Sequence, residues 1–295
     1  TGGDNIAIGH LAMSTLTTAG NNVAVGDRAM QVSTSGENNV AVGTLAMDAN
    51  TTGGSNVGVG RDALGANTTA SNNTAVGKSA MHTNTTGANN TGVGFQSLYS
   101  ATTADDNTAI GHNALFNNTT GALNTAVGKS ALENNTTASS NQAFGRRALY
   151  LNTTGTENNA FGYLALDANT TGSYNTAVGV NALGANTTAN RNTAVGTGAL
   201  QTSTTATQNV AVGNETGDAI TTGSNNTLIG YEAGGGLTTG PENCAMGRAA
   251  LLDCTSGGYN IAIGVEAMEN GTGSENVCVG FQAGRELTSG GNNML

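Results

Sequence analysis

The chain has 295 residues, of which 45 are glycine, one is proline and none is tryptophan, and only 9% of them are charged. This charge content is too low for an ordinary disordered chain, and the net charge of −10 disfavours binding to nucleic-acid phosphates or anionic membranes. No stretch approaches the roughly 18 apolar residues of a membrane-spanning helix, so we expect no membrane insertion.

The sequence is an internal repeat. A five-residue motif, as in Asn175-Thr176-Ala177-Val178-Gly179, recurs every 17 residues, with a single step of 16 before its last copy. A fixed short period indicates stacked repeats, so we predict one continuous array over residues 1–295, regular over 1–212 and less regular over 213–295. Because the chain starts and stops in mid-repeat, we expect a fragment of a longer fibre. The closing glycines are Gly9, Gly26, Gly43, Gly60, Gly77, Gly94, Gly111, Gly128, Gly145, Gly162, Gly179, Gly196, Gly213, Gly230, Gly247, Gly264 and Gly280.

Each motif predicts a short strand. With the closing glycine as position 0, position −4 is Asn in all copies, −2 is nearly always Ala, and −3 and −1 are mostly Val, Ile or Thr. Alternate residues of a strand point to opposite faces, so we expect the −1 side chain in the core and the small −2 side chain against a second surface. The glycine permits a turn that a Cβ would obstruct.

The segment after the glycine carries a second pattern. Positions +1 and +2 vary freely, +3 is Ala, +4 is Leu or Met, and +8 and +9 are Thr-Thr or Thr-Ser in nearly every repeat. Glycine, Asn and Thr-Thr recur too often for a helix. The sequence therefore predicts an all-β parallel β-solenoid of about 17 coils, one repeat per coil and ~4.8 Å apart, giving a rod of roughly 75–80 Å.

Stacking accounts for the recurrent polar residues. Identical Asn side chains can pair along the axis, as in the ladders of stacked sheets, and the Thr columns can pair through their hydroxyl groups. The predicted structural ladder comprises the glycines Gly26, Gly43, Gly77, Gly111, Gly128 and Gly179, with Asn22, Asn39, Asn56, Asn73, Asn90, Asn107, Asn124, Asn141, Asn158, Asn175 and Asn192.

The predicted core is thin, with about two large apolar side chains in each coil. Burying one yields roughly 1.5–3 kcal/mol, whereas ordering 17 residues costs of order 17–34 kcal/mol of backbone entropy. We therefore expect self-association around an axis, most simply a homotrimer. A densely packed monomeric solenoid is the competing interpretation.

Asn-x-Ala-Val/Ile-Gly-x-x-Ala resembles the head repeat of the trimeric autotransporter adhesins of the YadA type. The segments 5–12 and 260–267 match this pattern closely. The resemblance implies a left-handed parallel β-roll and an obligate trimer. The longer spacer with Asn-Thr-Thr-Gly departs from that family and is more similar to repeat regions of phage tail fibres.

The sequence offers no convergent chemistry, and we expect neither an enzyme nor a cofactor or metal site. His10 and His112 share a repeat position but lie six coils apart, about 29 Å, and His82 occupies another position. The three cysteines, Cys244, Cys254 and Cys278, occupy three different positions, so no two are placed to pair.

Three surface features are candidates for recognition. The Thr columns suggest an ice-binding face, although adjacent Thr residues point to opposite sides. Exposed aromatic residues form a candidate binding patch at Phe95, Tyr99, Phe116, Tyr150 and Tyr163. Asn-x-Thr sequons at position +7, which are candidate glycosylation sites, occur at Asn50, Asn67, Asn84, Asn118, Asn135, Asn152, Asn169 and Asn186.

The repeat pattern and the resemblance together lead to an expected function. The leading hypothesis is a non-enzymatic trimeric fibre segment of a phage tail fibre or bacterial surface adhesin, extracellular or on a virion, with itself as partner and a cell-surface glycan or receptor as candidate ligand. A self-assembling extracellular filament subunit is the first alternative, and an ice-binding solenoid is the second.

Overall fold

The computed structural model describes residues 2–295. Over this range every regular element is a strand of three residues, and there is no helix. The chain divides into two compact units, one ending at Arg147 and the other beginning at Ala148. Both units are parallel β-solenoids, which confirms the predicted all-β parallel solenoid.

The first unit contains nine strands, each paired with the next at the same repeat position. Ile6 lies beside Val23, and Ala24 beside Ala41. The strands are β1 (Ile6–Ile8), β2 (Val23–Val25), β3 (Val40–Val42), β4 (Val57–Val59), β5 (Thr74–Val76), β6 (Thr91–Val93), β7 (Thr108–Ile110), β8 (Thr125–Val127) and β9 (Gln142–Phe144).

The second unit contains eight strands in the same parallel register. The one 16-residue step leaves the pairing intact, since Ile261 still lies beside Val277. The strands are β10 (Asn159–Phe161), β11 (Thr176–Val178), β12 (Thr193–Val195), β13 (Val210–Val212), β14 (Thr227–Ile229), β15 (Cys244–Met246), β16 (Ile261–Ile263) and β17 (Val277–Val279).

The turn segments of neighbouring coils are also hydrogen-bonded to each other. The Leu64 amide donates to the Ala80 carbonyl at 3.0 Å, one coil further on. Each turn curls tightly because positions 0, +2, +4 and +12 have positive φ, as in Leu115 at 52°. A left-handed backbone costs an ordinary residue about 1–2 kcal/mol. Stacking and burial of the +4 side chain offset that strain in nearly every coil.

The core lies between the inner face of the strand and the turn. Beyond the first coil, the −2 alanines and the +4 Leu or Met side chains are fully buried, for example Ala109 and Leu115, whereas Ile110 at −1 is 41% exposed. A Cβ built on Gly58, at −2, would lie 3.1 Å from the Met47 Cε atom. The expectation that −1 fills the core and that −2 meets a second surface is therefore wrong. Position −2 is small because the coil interior is narrow.

The glycine at position 0 is required by stacking as well as by the turn. Gly111 has φ +138°, and a Cβ built on it would lie 2.5 Å from the Gly128 carbonyl oxygen of the next coil. The same contact recurs along the column, as at Gly26, whose Cβ would lie 2.4 Å from the Gly43 oxygen. Any side chain here separates two coils.

In the coils after residue 213, the large core side chain comes from a different position of the repeat. Gly217 and Gly234 replace the +4 leucine, and Leu228 replaces the −2 alanine with its side chain fully buried. A Cβ on Gly217 would lie 2.7 Å from the Leu228 Cδ1 atom, and one on Gly234 would lie 3.0 Å from the same atom. The large side chain has thus moved across the coil while the strand register is kept.

Candidate functional surfaces

The position −4 asparagines are buried and tie each coil to itself and to its neighbour. The Asn56 amide nitrogen donates to the Ala70 carbonyl of its own coil at 2.8 Å, and its oxygen accepts the backbone N–H of Asn73 at 3.0 Å. Direct amide-to-amide bonds, as from Asn124 to Asn107 at 3.1 Å, occur in some coils only. The ladder is mainly side chain to backbone.

The position +7 asparagines form a second column, which the sequence analysis assigned to glycosylation. All eight are fully buried. Asn67 donates to the Asn50 oxygen at 2.8 Å and to the Ala70 carbonyl at 3.1 Å. A glycan attached to such an amide would have to occupy the core, so the glycosylation hypothesis is incompatible with the folded coil. The eight candidate glycosylation sites that lie buried in this column are Asn50, Asn67, Asn84, Asn118, Asn135, Asn152, Asn169 and Asn186.

The two Thr columns differ in their environment. At +8 the hydroxyl group donates to the backbone carbonyl of the next coil, as from Thr51 to Thr68 at 3.0 Å. At +9 the side chain is exposed, as in Thr52 and Thr120. The expected hydroxyl-to-hydroxyl pairing at +8 is therefore replaced by bonds to the backbone. One exposed Thr column remains, whereas the ice-binding hypothesis needs two on one face.

The aromatic patch separates into two columns in the first unit. At position +5 the rings of Tyr99 and Phe116 are stacked, with centroids 5.1 Å apart, and His82 stacks on Tyr99 at 5.3 Å. Phe95 belongs to the +1 column, where its ring lies 5.1 Å from that of His112. Tyr99 and Phe116 are thus the members of the predicted patch that stack on each other within the first unit, whereas Tyr150 and Tyr163 belong to the second unit.

Other titratable side chains are dispersed. His10 lies 3.0 Å from Asp27, and residues 2–295 contain no group of three or more His, Cys, Asp or Glu side chains placed to hold a metal ion. Cys244, Cys254 and Cys278 are free thiols. Burial raises the pKa of the Cys254 and Cys278 thiols, which makes them less reactive.

One shallow groove occurs in the second unit, with a volume of about 280 Å³. It forms where Gly184 leaves the +5 column without a side chain. The sequence signal for such a groove is a glycine at a position that otherwise carries a side chain. It is lined by Asp167, Asn181, Gly184, Ala185, Gln201 and Thr202.

The outer face of the strands carries an apolar row, at position −1, in both units. The −1 side chain of each strand points outward, and those of Val42, Ile110, Val178 and Val212 are 36–41% exposed. The −3 side chains, mostly Val or Thr, share this face and are intermediate or exposed in every strand. We call these two rows the outer apolar face. Sequence reasoning missed it because it assigned −1 to the core.

Within residues 2–295, no helix has the length and apolar character needed to cross a membrane. Comparison with models of known protein families and with curated proteins finds no match for this chain. The surfaces described above therefore carry the functional inference.

Proposed function

We propose that this chain is a structural fibre segment in which three copies pack through the outer apolar face. The fold would then be the left-handed β-roll that the sequence resemblance implies, in a phage tail fibre or a bacterial surface adhesin at the cell or virion surface. The single observation that carries the proposal is the outer apolar face, repeated on every strand.

The size of the face supports self-association. Fully burying a valine is worth about 1.5–3 kcal/mol, which at 25 cal/mol per Å² corresponds to roughly 60–120 Å². With about 40% of the −1 side chain exposed, eight or nine coils offer on the order of 200–450 Å² of apolar surface in each unit from this row, and the Val and Ile side chains at −3 add to it. The largest apolar patch on a typical monomer is about 300–600 Å², and specific interfaces bury about 800 Å² per partner, so an apolar row of this length is suited to an interface.

The recurrent residues serve the stack, which favours a structural role over catalysis. The Asn, Gly and Thr columns are engaged in bonds or contacts between coils. Variation is greatest at exposed positions, of which +1 is the most diverse. Recognition of a glycan or receptor would be added there, while the coils act as a spacer. Ice binding is less well supported, because only one Thr column is exposed.

The test is the mass of the native assembly by analytical ultracentrifugation. We expect three times the chain mass of 29.1 kDa. Ile110→Glu, which places a charge on the outer apolar face, should give monomers. Thr120→Glu, an equally exposed site in the same coil but at position +9, should leave the trimer intact. A wild-type monomer or dimer would exclude the trimer, and polymers of unlimited length would favour the filament alternative.

A further inference from the structure

Six successive coils of the first unit carry an unusual set of residues at position +1. All six are exposed, and equal positions lie about 4.8 Å apart from coil to coil. The column therefore spans about 24 Å. We call it the basic column, and it consists of Arg61, Lys78, Phe95, His112, Lys129 and Arg146.

The basic column stands out against the charge of the chain. Residues 61–147 contain five basic and four acidic side chains, whereas residues 148–295 contain three basic and eleven acidic ones. Four of the nine Lys and Arg residues lie in this one column. The excess negative charge thus belongs to the remainder of the chain.

Its two lysines lack acidic partners. In the part of the chain that the structure describes, neither Lys78 nor Lys129 makes an ion pair. Arg248 occupies the same position in the second unit and is paired with Glu266. Like charges in one column repel each other, so the two lysines gain no stability from ion pairs in the stack.

The centre of the column holds two aromatic rings in contact, inclined to each other by 31°. The Lys78 ammonium group lies 5.7 Å from the centroid of the Phe95 ring, and the His112 ring follows at 5.1 Å. Because Lys78 precedes Phe95 by one coil and His112 follows it by one, both faces of the Phe95 ring are covered. Of the six side chains beside the column at +2, Ser79, Gln96, Asn113 and Ser130 are polar and uncharged and Arg147 is basic. The sixth, Asp62, lies 3.2 Å from Arg61 and pairs with it.

We propose that the basic column binds a linear acidic polysaccharide, whose sulfate or carboxylate groups pair with the lysine and arginine side chains along the coil axis. Evenly spaced cations suit a polymer with repeated anionic groups. Single-stranded nucleic acid fits less well, because its bases need free aromatic faces for stacking. The column lies at +1, outside the outer apolar face, so this proposal does not depend on self-association.

The experiment measures binding of the full chain to heparin, used as a sulfated polysaccharide probe, by isothermal titration calorimetry at low salt. We expect Lys78→Gln/Lys129→Gln to bind roughly five- to thirtyfold more weakly, since two exposed ion pairs are lost. Arg248→Gln removes an equally basic +1 residue from the second unit and should bind like the wild type. Circular dichroism and assembly mass should be unchanged in both variants.

Three outcomes of the heparin titrations would overturn the proposal. They are no heparin binding by the wild type at low salt, equal affinity of the double variant and the wild type, and a loss in Arg248→Gln as large as that in the double variant. Dextran, which is neutral, and a single-stranded oligonucleotide are the two control ligands. Dextran binding as tight as heparin binding, or tighter binding of the oligonucleotide, would contradict an acidic polysaccharide ligand.

Discussion

A single side chain in this protein acts mainly on the coil next to it. A +7 asparagine donates its side-chain N–H to the side-chain oxygen of the +7 asparagine in the preceding coil. Ala101 and Ser203 interrupt this column and divide it into separate runs of asparagines. Where a run ends, the last oxygen has no donor: the Asn84 and Asn186 Oδ1 atoms accept no hydrogen bond within residues 2–295. The Ser203 hydroxyl is also buried without a partner. A buried unpaired polar group costs about 1–3 kcal/mol.

Joining two runs should therefore stabilise the fold. Ala101→Asn would place an amide donor beside the Asn84 oxygen and an acceptor beside the Asn118 amide nitrogen. We expect the free energy of unfolding to rise by about 1 kcal/mol or more, measured by denaturant titration. Ala101→Asp has nearly the same shape but no amide donor, so it should destabilise. An Ala101→Asn variant no more stable than the wild type would contradict the ladder.

At the scale of the strand and its turn, the filled volume of the core is kept although the repeat position that supplies the large side chain changes. Most coils combine Ala at −2 with Leu or Met at +4, whereas the coil around β14 combines Leu228 at −2 with Gly234 at +4. Since interiors are close-packed, the Leu228 side chain fills the space that glycine leaves at +4 in its own coil and in the preceding coil, where Gly217 lies beside it. This exchange explains why the pattern changes after residue 213 without a change of register.

The exchange predicts coupling between the two sites. Leu228→Ala should cost about 2–5 kcal/mol because it leaves a cavity, and Gly234→Leu should destabilise because its Cβ approaches Leu228 at 3.0 Å. Combined, the two restore the common pattern, so the double variant should lose less than the sum of the two. Pairing Gly234→Leu with Leu200→Ala provides the control, which should be additive. Additive losses for Leu228 and Gly234 would refute the exchange.

At the scale of the whole molecule, each unit is a stack in which a coil contacts its neighbours. Stability in such arrays is approximately a sum of terms for each repeat and each interface between repeats. A lesion in one coil should therefore open the adjacent coils first, because local openings follow the local stability. A substitution in the glycine column is a strong local perturbation, since the column has no room for a Cβ.

Gly111→Ala should produce such a local opening. Its Cβ would lie 2.5 Å from the Gly128 oxygen at a φ of +138°, so we expect a loss of about 3 kcal/mol or more. Hydrogen exchange should accelerate in β7 and β8 and change little in β2. Gly65→Ala is the control, because its Cβ would meet only the flexible His82 ring, at 3.1 Å, and the Asp62 oxygen, at 3.4 Å. Uniform acceleration across the first unit would contradict the prediction.

The sequence by itself determined the period, the strand positions and the parallel solenoid. These follow from equal residues recurring at equal spacing, because a stacked array brings each residue against its own copy. Repetition also located the Asn, Gly and Thr columns. It did not reveal what they bond to, since Asn56 and Asn67 look alike in sequence while one bonds mainly to backbone and the other to a second amide.

Only the tertiary structure decided which way each side chain points. A three-residue strand shows that −2 and −1 lie on opposite faces but not which face is inside, and the left-handed turn at +2 and +4 brings Leu115 against the alanine side. That turn placed valine outside, alanine inside and the +7 asparagines in the core. The outer apolar face and the basic column, which carry both proposals, are consequences of this one choice.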